Sequence, residues 1–210
     1  MKKLAWKLLH ALGLSGYMII AYNSALTRRG WFRSYAKRRA IDKAGQPIPW
    51  LNYAAMHVLA PRLQPHMRLF EYGAGSSTLW FGPRVQLVAS VEHDPTWHAM
   101  ISRQLPQPQL VALQPDAAAY PNAILAHTQP FDIILIDGIV RNDCAQACLA
   151  RLSPQGVIVF DNTDVADWQP GVAFLRAQGF RQLEFVALAP GVAQETATSI
   201  FYRADNCLNL

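Results

Sequence analysis

The chain has 210 residues, 51% hydrophobic and 16% charged, an ordinary globular composition with enough apolar side chain for one large core. Its net charge of +5 is unevenly spread: residues 1–39 carry nine Lys and Arg and no Asp or Glu, so the remainder is net acidic. Three cysteines (Cys144, Cys148, Cys207) exclude a disulfide framework, and a reduced, intracellular chain is expected.

Helical apolar spacing covers 3–14 and 17–26, with a break expected at Ser15-Gly16. Residues 8–27, LLHALGLSGYMIIAYNSALT, hold no charged side chain and are just long enough for a bilayer core of ~30 Å. His10, Gly13, Ser15, Gly16, Asn23 and Ser24 dilute the run, and both flanks are basic. A signal peptide fits poorly, because Lys7 interrupts the apolar stretch and no small-x-small cleavage site follows. The expectation is two helices that pack on the body or rest on a membrane surface, in a cytoplasmic protein. The basic run from Arg28 to Arg39 suits an anionic acceptor or lipid surface. Residues 30–50 are mixed and aromatic and end in Pro-Ile-Pro; 51–63 return to helical spacing and stop near Pro61.

From there short apolar runs alternate with helical segments. The runs are MRLFEY (67–72), VQLVASVEHD (85–94), QLVALQPD (109–116), FDIILIDG (131–138) and GVIVFDN (156–162). Between them, 95–105 predicts a helix capped by Asp94 with Pro95 in its first turn; 142–152 and 171–180 predict two more, the last stopped by Gly179. RQLEFVALA and ATSIFYR follow with no helix between them and suggest a closing antiparallel pair. Strands that are apolar throughout are covered on both faces, which predicts a doubly wound, mostly parallel sheet of seven strands in an α/β fold. Residues 1–63 are expected to form a basic, largely helical extension capping the acceptor side of a ligand-binding domain at 64–210.

The first strand runs into EYGAGSST (71–78), an acidic residue followed by G-x-G. Gly73 and Gly75 allow a sharp turn and close approach of a ligand to the backbone, and the helix start beyond offers free N–H groups. Glu92, at the end of the second strand, is placed to accept ribose hydroxyls. NAD and S-adenosylmethionine both remain open on these features. Thr78 and Glu71 favour the second: a dinucleotide site wants a small residue at 78, and a carboxylate at 71 repels a pyrophosphate but attracts an ammonium and a sulfonium.

With these residues in place, the chain resembles a class I S-adenosylmethionine-dependent methyltransferase over about 67–203. EYGAGSST resembles the family's first motif, SVEHD its second, LQPDAAAY its third and FDIILIDG its fourth. The resemblance implies cofactor contacts from Glu71, Gly73, Ala74, Gly75, Ser76 and Ser77. It implies further contacts from Glu92 (ribose), His93 and Asp116 (adenine), Ala117 and Asp137.

Asp137 after the fourth strand and Asp161-Asn162 after the fifth also resemble, in part, the ligand set of cation-dependent O-methyltransferases, which would hold Mg²⁺. The match departs after Asp137-Gly138, where IVRNDC replaces the usual His and Tyr, and no counterpart of the usual Lys base is evident. Without metal, Asp137 is the expected base, Arg141 orients an acidic acceptor, and Asp161 completes the catalytic group. Trp50 and Tyr53, on the proline turn, are expected to touch the acceptor; His57 and His98 are read as packing or surface residues. The leading expectation is O-methylation of a small molecule or saccharide. A nucleic-acid methyltransferase is an alternative favoured by the basic arm, but no base-flipping motif follows the fourth strand. A non-catalytic scaffold subunit and an NAD-dependent oxidoreductase are the others, and a homo-oligomer is compatible with all of them.

Overall fold

The computed structural model describes residues 2–105 and 110–210. Seven strands form one sheet: β1 (Arg68–Tyr72), β2 (Leu87–Glu92), β3 (Val111–Leu113), β4 (Phe131–Ile136), β5 (Leu152–Asp161), β6 (Arg181–Leu188) and β7 (Glu195–Tyr202). Their order is β3-β2-β1-β4-β5-β7-β6. The first five are parallel, and β7 enters antiparallel to both β5 and β6. The predicted architecture and closing pair are therefore present. Gln109, the first residue of the predicted third strand, lies outside the described residues.

Alternate residues of each strand feed opposite faces, as the two-residue period requires. On one face Phe70, Tyr72, Ile134, Ile136, Ile158 and Phe160 pack with Cys144, Cys148, Val172 and Leu175 from α8 (Arg141–Ala147), the turn after it, and α9 (Gln169–Ala177). On the other, Leu69, Ile133, Leu135, Val157 and Val159 pack with Leu51, Leu59 and Phe81. Leu59 belongs to α5 (Tyr53–Leu59) and Phe81 to α6 (Ser76–Phe81). Two covered faces explain why these strands read as continuous apolar runs.

Helix ends follow local chemistry. Asp94 Oδ1 accepts from the N–H of Thr96 and Trp97, so α7 (Pro95–Ser102) starts where expected. Asn52 caps α5 by accepting from Ala55 N, which starts that helix two residues after the predicted Leu51. Asn52 Nδ2 also donates to Phe185 O and Thr196 O, tying α5 to the closing hairpin. The N-terminal helices break at Leu12–Leu14, between α1 (Lys2–Ala11) and α2 (Ser15–Asn23), slightly before the expected Ser15-Gly16. Ser15 instead opens α2 with its hydroxyl 3.1 Å from His10 Nδ1. Ser24 then accepts from Thr27 N and starts α3 (Ala25–Arg29), which divides the predicted second helix; α4 (Trp31–Lys37) follows.

Candidate active site

The strand order reverses between β1 and β4, and a cleft of about 560 Å³ opens at their carboxyl ends, where doubly wound sheets bind ligands. The loop after β1 forms one wall. Gly73 has φ 96, and a Cβ there would sit 2.9 Å from Asp137 O, so what approaches this glycine is the backbone after β4. Gly75 differs: a Cβ there would meet nothing nearer than 3.8 Å, and the residue faces the cleft. Trp97 Nε1 donates to Ala74 O at 2.6 Å and pins the loop from α7.

Glu71 does not line the cleft. It lies fully buried beneath the loop, where Thr78 and Ser90 hydroxyls donate to its Oε2 and Gly75 N donates to Thr78 Oγ1. Among the described residues its Oε1 has no hydrogen-bond partner. Burial pushes the Glu71 carboxyl up to about 7, against the pull of its hydroxyl donors. Glu92 does line the cleft. Its Oε1 accepts from the N–H of His93 and Asp94, both at 2.8 Å, which fixes the carboxylate at the wall. Ala74, Ser76, Ser77, His93 and Asp94 complete this end. Asp116 and Ala117 sit exposed on the loop after β3 and are not among the lining residues; the Asp116 carboxylate accepts from Ala118 N instead.

The opposite end is lined by Asp137, Gly138, Ile139, Asp161 and Asn162. Behind them lies Arg141, with all five of its N–H donors engaged. Nε donates to Gly138 O, Nη1 to Asp161 O and Asn162 Oδ1, and Nη2 to Asp137 O and Oδ1, over 2.7–3.3 Å. Val140 takes a left-handed conformation (φ 41, ψ 44), unusual for a β-branched residue, and this turn folds Arg141 back under the strand ends. A guanidinium with no free donor does not orient an acceptor. Arg141 is therefore a clamp behind the cleft, a correction to its expected role.

The same clamp bears on the expected metal. Asp137 Oδ1 and Asn162 Oδ1 already accept from a fixed positive charge, and Asp161 Oδ1 accepts from Thr198 Oγ1. A divalent ion bound by Asp137, Asp161 and Asn162 would meet that charge at close range, so the residues present do not fit Mg²⁺. Burial raises both the Asp137 and the Asp161 carboxyl above the usual range; Arg141 opposes the shift at both, and the Asp137 charge adds to it at Asp161.

Trp50 is 42% exposed and lines the cleft. Tyr53 does not reach it: the ring is buried under Arg29, and its hydroxyl has no partner among the described residues. Ala189, Val192 and Thr196, from the β6–β7 turn and the start of β7, also line the cleft. Sequence reasoning missed these and Trp97. The last carried a signal, an aromatic side chain in the first turn of a helix that starts at the cleft.

No family model and no curated protein sequence matches the chain. Solved structures do. An O-methyltransferase from Bacillus cereus in complex with S-adenosylhomocysteine (SAH) aligns with TM-score 0.58 at 15% identity, covering 89% of this chain and 96% of that one. A precorrin-6y C5,15-methyltransferase from Geobacter metallireducens aligns with TM-score 0.55 at 19% identity, covering 71% and 86%. The chain has the class I S-adenosylmethionine-dependent methyltransferase fold. Aeropyrum pernix fibrillarin with natively bound S-adenosylmethionine shares it, with TM-score 0.51 at 14% identity over 67% of this chain and 68% of that one. At these identities the likeness is one of fold, and chemistry has to be argued from the cleft.

Proposed function

We propose that the chain transfers the methyl group of S-adenosylmethionine to an oxygen of a small-molecule or saccharide acceptor. One observation carries this reading: a single cleft has a backbone-fixed carboxylate, Glu92, at one end and two carboxyls, the half-buried Asp137 and the buried Asp161, at the other. The Glu92 carboxylate suits ribose hydroxyls, and the open main chain at Gly75 suits the methionine part. The Glu71 carboxyl beneath the loop, raised to about 7, favours an ammonium or sulfonium above it wherever it is ionised. The bound neighbours, SAH in the Bacillus cereus enzyme and S-adenosylmethionine in fibrillarin, agree with this choice of cofactor.

When bound, the sulfonium supplies an already activated methyl carbon. The chain's own work is alignment and proton removal. Asp137, about one-fifth exposed at the cleft, takes the acceptor hydroxyl proton as that oxygen bonds to the methyl carbon and the carbon–sulfur bond breaks. Its raised pKa brings the carboxylate closer to neutrality, which suits a general base, and activity is expected to rise with pH as Asp137 deprotonates. Arg141 keeps Asp137 and the Asp161 main chain in place without touching the acceptor. Trp50 forms the acceptor wall.

A radiolabelled methyl-transfer screen over phenols, sugars, uronic acids, lipids and RNA, with and without chelator, tests the reading. Transfer to a hydroxyl acceptor that survives chelation is expected, and Asp137→Asn should slow it about a hundred- to ten-thousandfold. Transfer to RNA alone, or no transfer with any acceptor, would contradict it.

A further inference from the structure

We propose that residues 3–39 dock the protein on an anionic phospholipid surface, lying within the interface rather than crossing it. From Lys3 to Arg29, Ser15 is the one buried residue among the described side chains. Large apolar groups stand in water there: Leu8 is 62% exposed, Leu12 61%, Tyr17 72% and Tyr22 75%. In α2 the successive residues Tyr17, Met18, Ile19 and Ile20 are all exposed. At 100° per residue they go round the whole helix, so no rotation of α2 against the body hides them all. Contiguous exposed apolar surface of this kind marks an interaction site.

The charge selects the partner. Lys3, Lys7 and His10 share one side of α1 at spacings of four and three, and Ala5, Leu8 and Leu9 fall on the other. Arg28, Arg33, Lys37 and Arg39 follow, all exposed, and no acidic residue occurs before Asp42. A second copy of this chain would bring like charges together. A nucleic acid would match the charge and leave the apolar side chains in water. An anionic bilayer meets both needs, with Trp and Tyr suited to its boundary. As folded, α1 has ten residues and α2 nine, and no described helix is long and apolar enough to cross a membrane.

The docking segment adjoins the acceptor end of the cleft. Trp31 Nε1 in α4 donates to Val192 O at 2.9 Å, and Val192 lines the cleft. A second cavity, of about 570 Å³, is lined by Ser34, Tyr35, Ala36, Arg38, Gly191 and Trp50, and Trp50 also lines the first.

Co-sedimentation of the full chain with vesicles tests the proposal. The protein should pellet with phosphatidylglycerol–phosphatidylcholine vesicles, remain in solution with pure phosphatidylcholine, and release at high salt. The variant with Lys3, Lys7, Arg28, Lys37 and Arg39 changed to Gln should lose about three-thousandfold in vesicle affinity, as about fivefold for each of five basic residues at an anionic surface implies. The double variant I19D/I20D should lose at least about a hundredfold, through the apolar burial of two Ile side chains. Their circular dichroism and SAH binding should stay unchanged, so a failure here is separable from a failure of the cofactor reading. Three results would overturn the proposal: wild type that stays in solution with anionic vesicles, equal binding to both vesicle types, or I19D/I20D that splits a dimer while vesicle binding persists.

Discussion

The two ends of the cleft are built differently. At the β1–β2 end, backbone does the shaping: Gly73 packs against the turn after β4, and Glu92 is held by two consecutive N–H groups. At the β4–β5 end a single side chain does it, with Arg141 bonded to four residues that lie up to 25 positions apart in the sequence. The first end is a turn that local sequence specifies. The second is a tertiary clamp that one substitution can remove. Cofactor binding and acceptor chemistry should therefore fail independently.

The largest expected effect follows from removing the clamp. Arg141→Met leaves Asp137 and Asp161 facing each other without their counter-charge and should destabilise the fold by about 3 kcal/mol. Methyl transfer should fall steeply, and its pH profile should move upward because Arg141 lowers the pKa of both carboxyls. SAH affinity, read by calorimetry, should change less than about threefold, well under 1 kcal/mol. A parallel loss of SAH affinity would break the distinction between the two ends.

A smaller effect sharpens the same comparison from the other side. Glu71 is fully buried, and its carboxyl is raised from 4.5 to about 7. The folded state thus holds a proton that the unfolded state releases across this window, so this group's contribution to stability is present at low pH and lost as pH rises from about 4.5 to 7. The decline should be on the order of 3 kcal/mol. Urea melts of the ligand-free protein at several pH values should show a decline, and Glu71→Gln should make it shallower by that amount, leaving the part that the raised Asp137 and Asp161 carboxyls contribute. An equal slope in the variant would place the buried charge elsewhere.

How much of this could be read beforehand follows from the same contrast. The strands were legible because both sheet faces are covered, which writes unbroken apolar runs into β4 (133–136) and β5 (157–160) and the pair Leu69-Phe70 into β1. The start of α7 was legible because Asp-Pro-Thr-Trp carries its cap and first turn within four residues. Glu92, Gly75, Asp137 and Asp161 were legible as groups at strand ends. Arg141 was seen as a residue but not as a clamp, since its position depends on a left-handed Val140, a conformation that β-branched residues disfavour and no propensity announces. Glu71 was read as facing the ligand, and burial puts it underneath. Asp116 and Tyr53 were assigned by motif or proximity, but the loop after β3 leaves the first outside the cleft lining, and α5 turns the second into the interior. Ala189, Val192 and Thr196 reach the cleft from more than a hundred residues beyond β1, a contact that no local pattern records.

The central claim is that one cleft binds the nucleoside cofactor at its β1–β2 end independently of the chemistry at its β4–β5 end. Calorimetric titration of SAH into the wild type and into Asp137→Asn tests it most directly. Binding in the micromolar range, about −8 kcal/mol, by both proteins is predicted. No heat from the wild type at millimolar ligand, or binding that vanishes with Asp137→Asn, would contradict it.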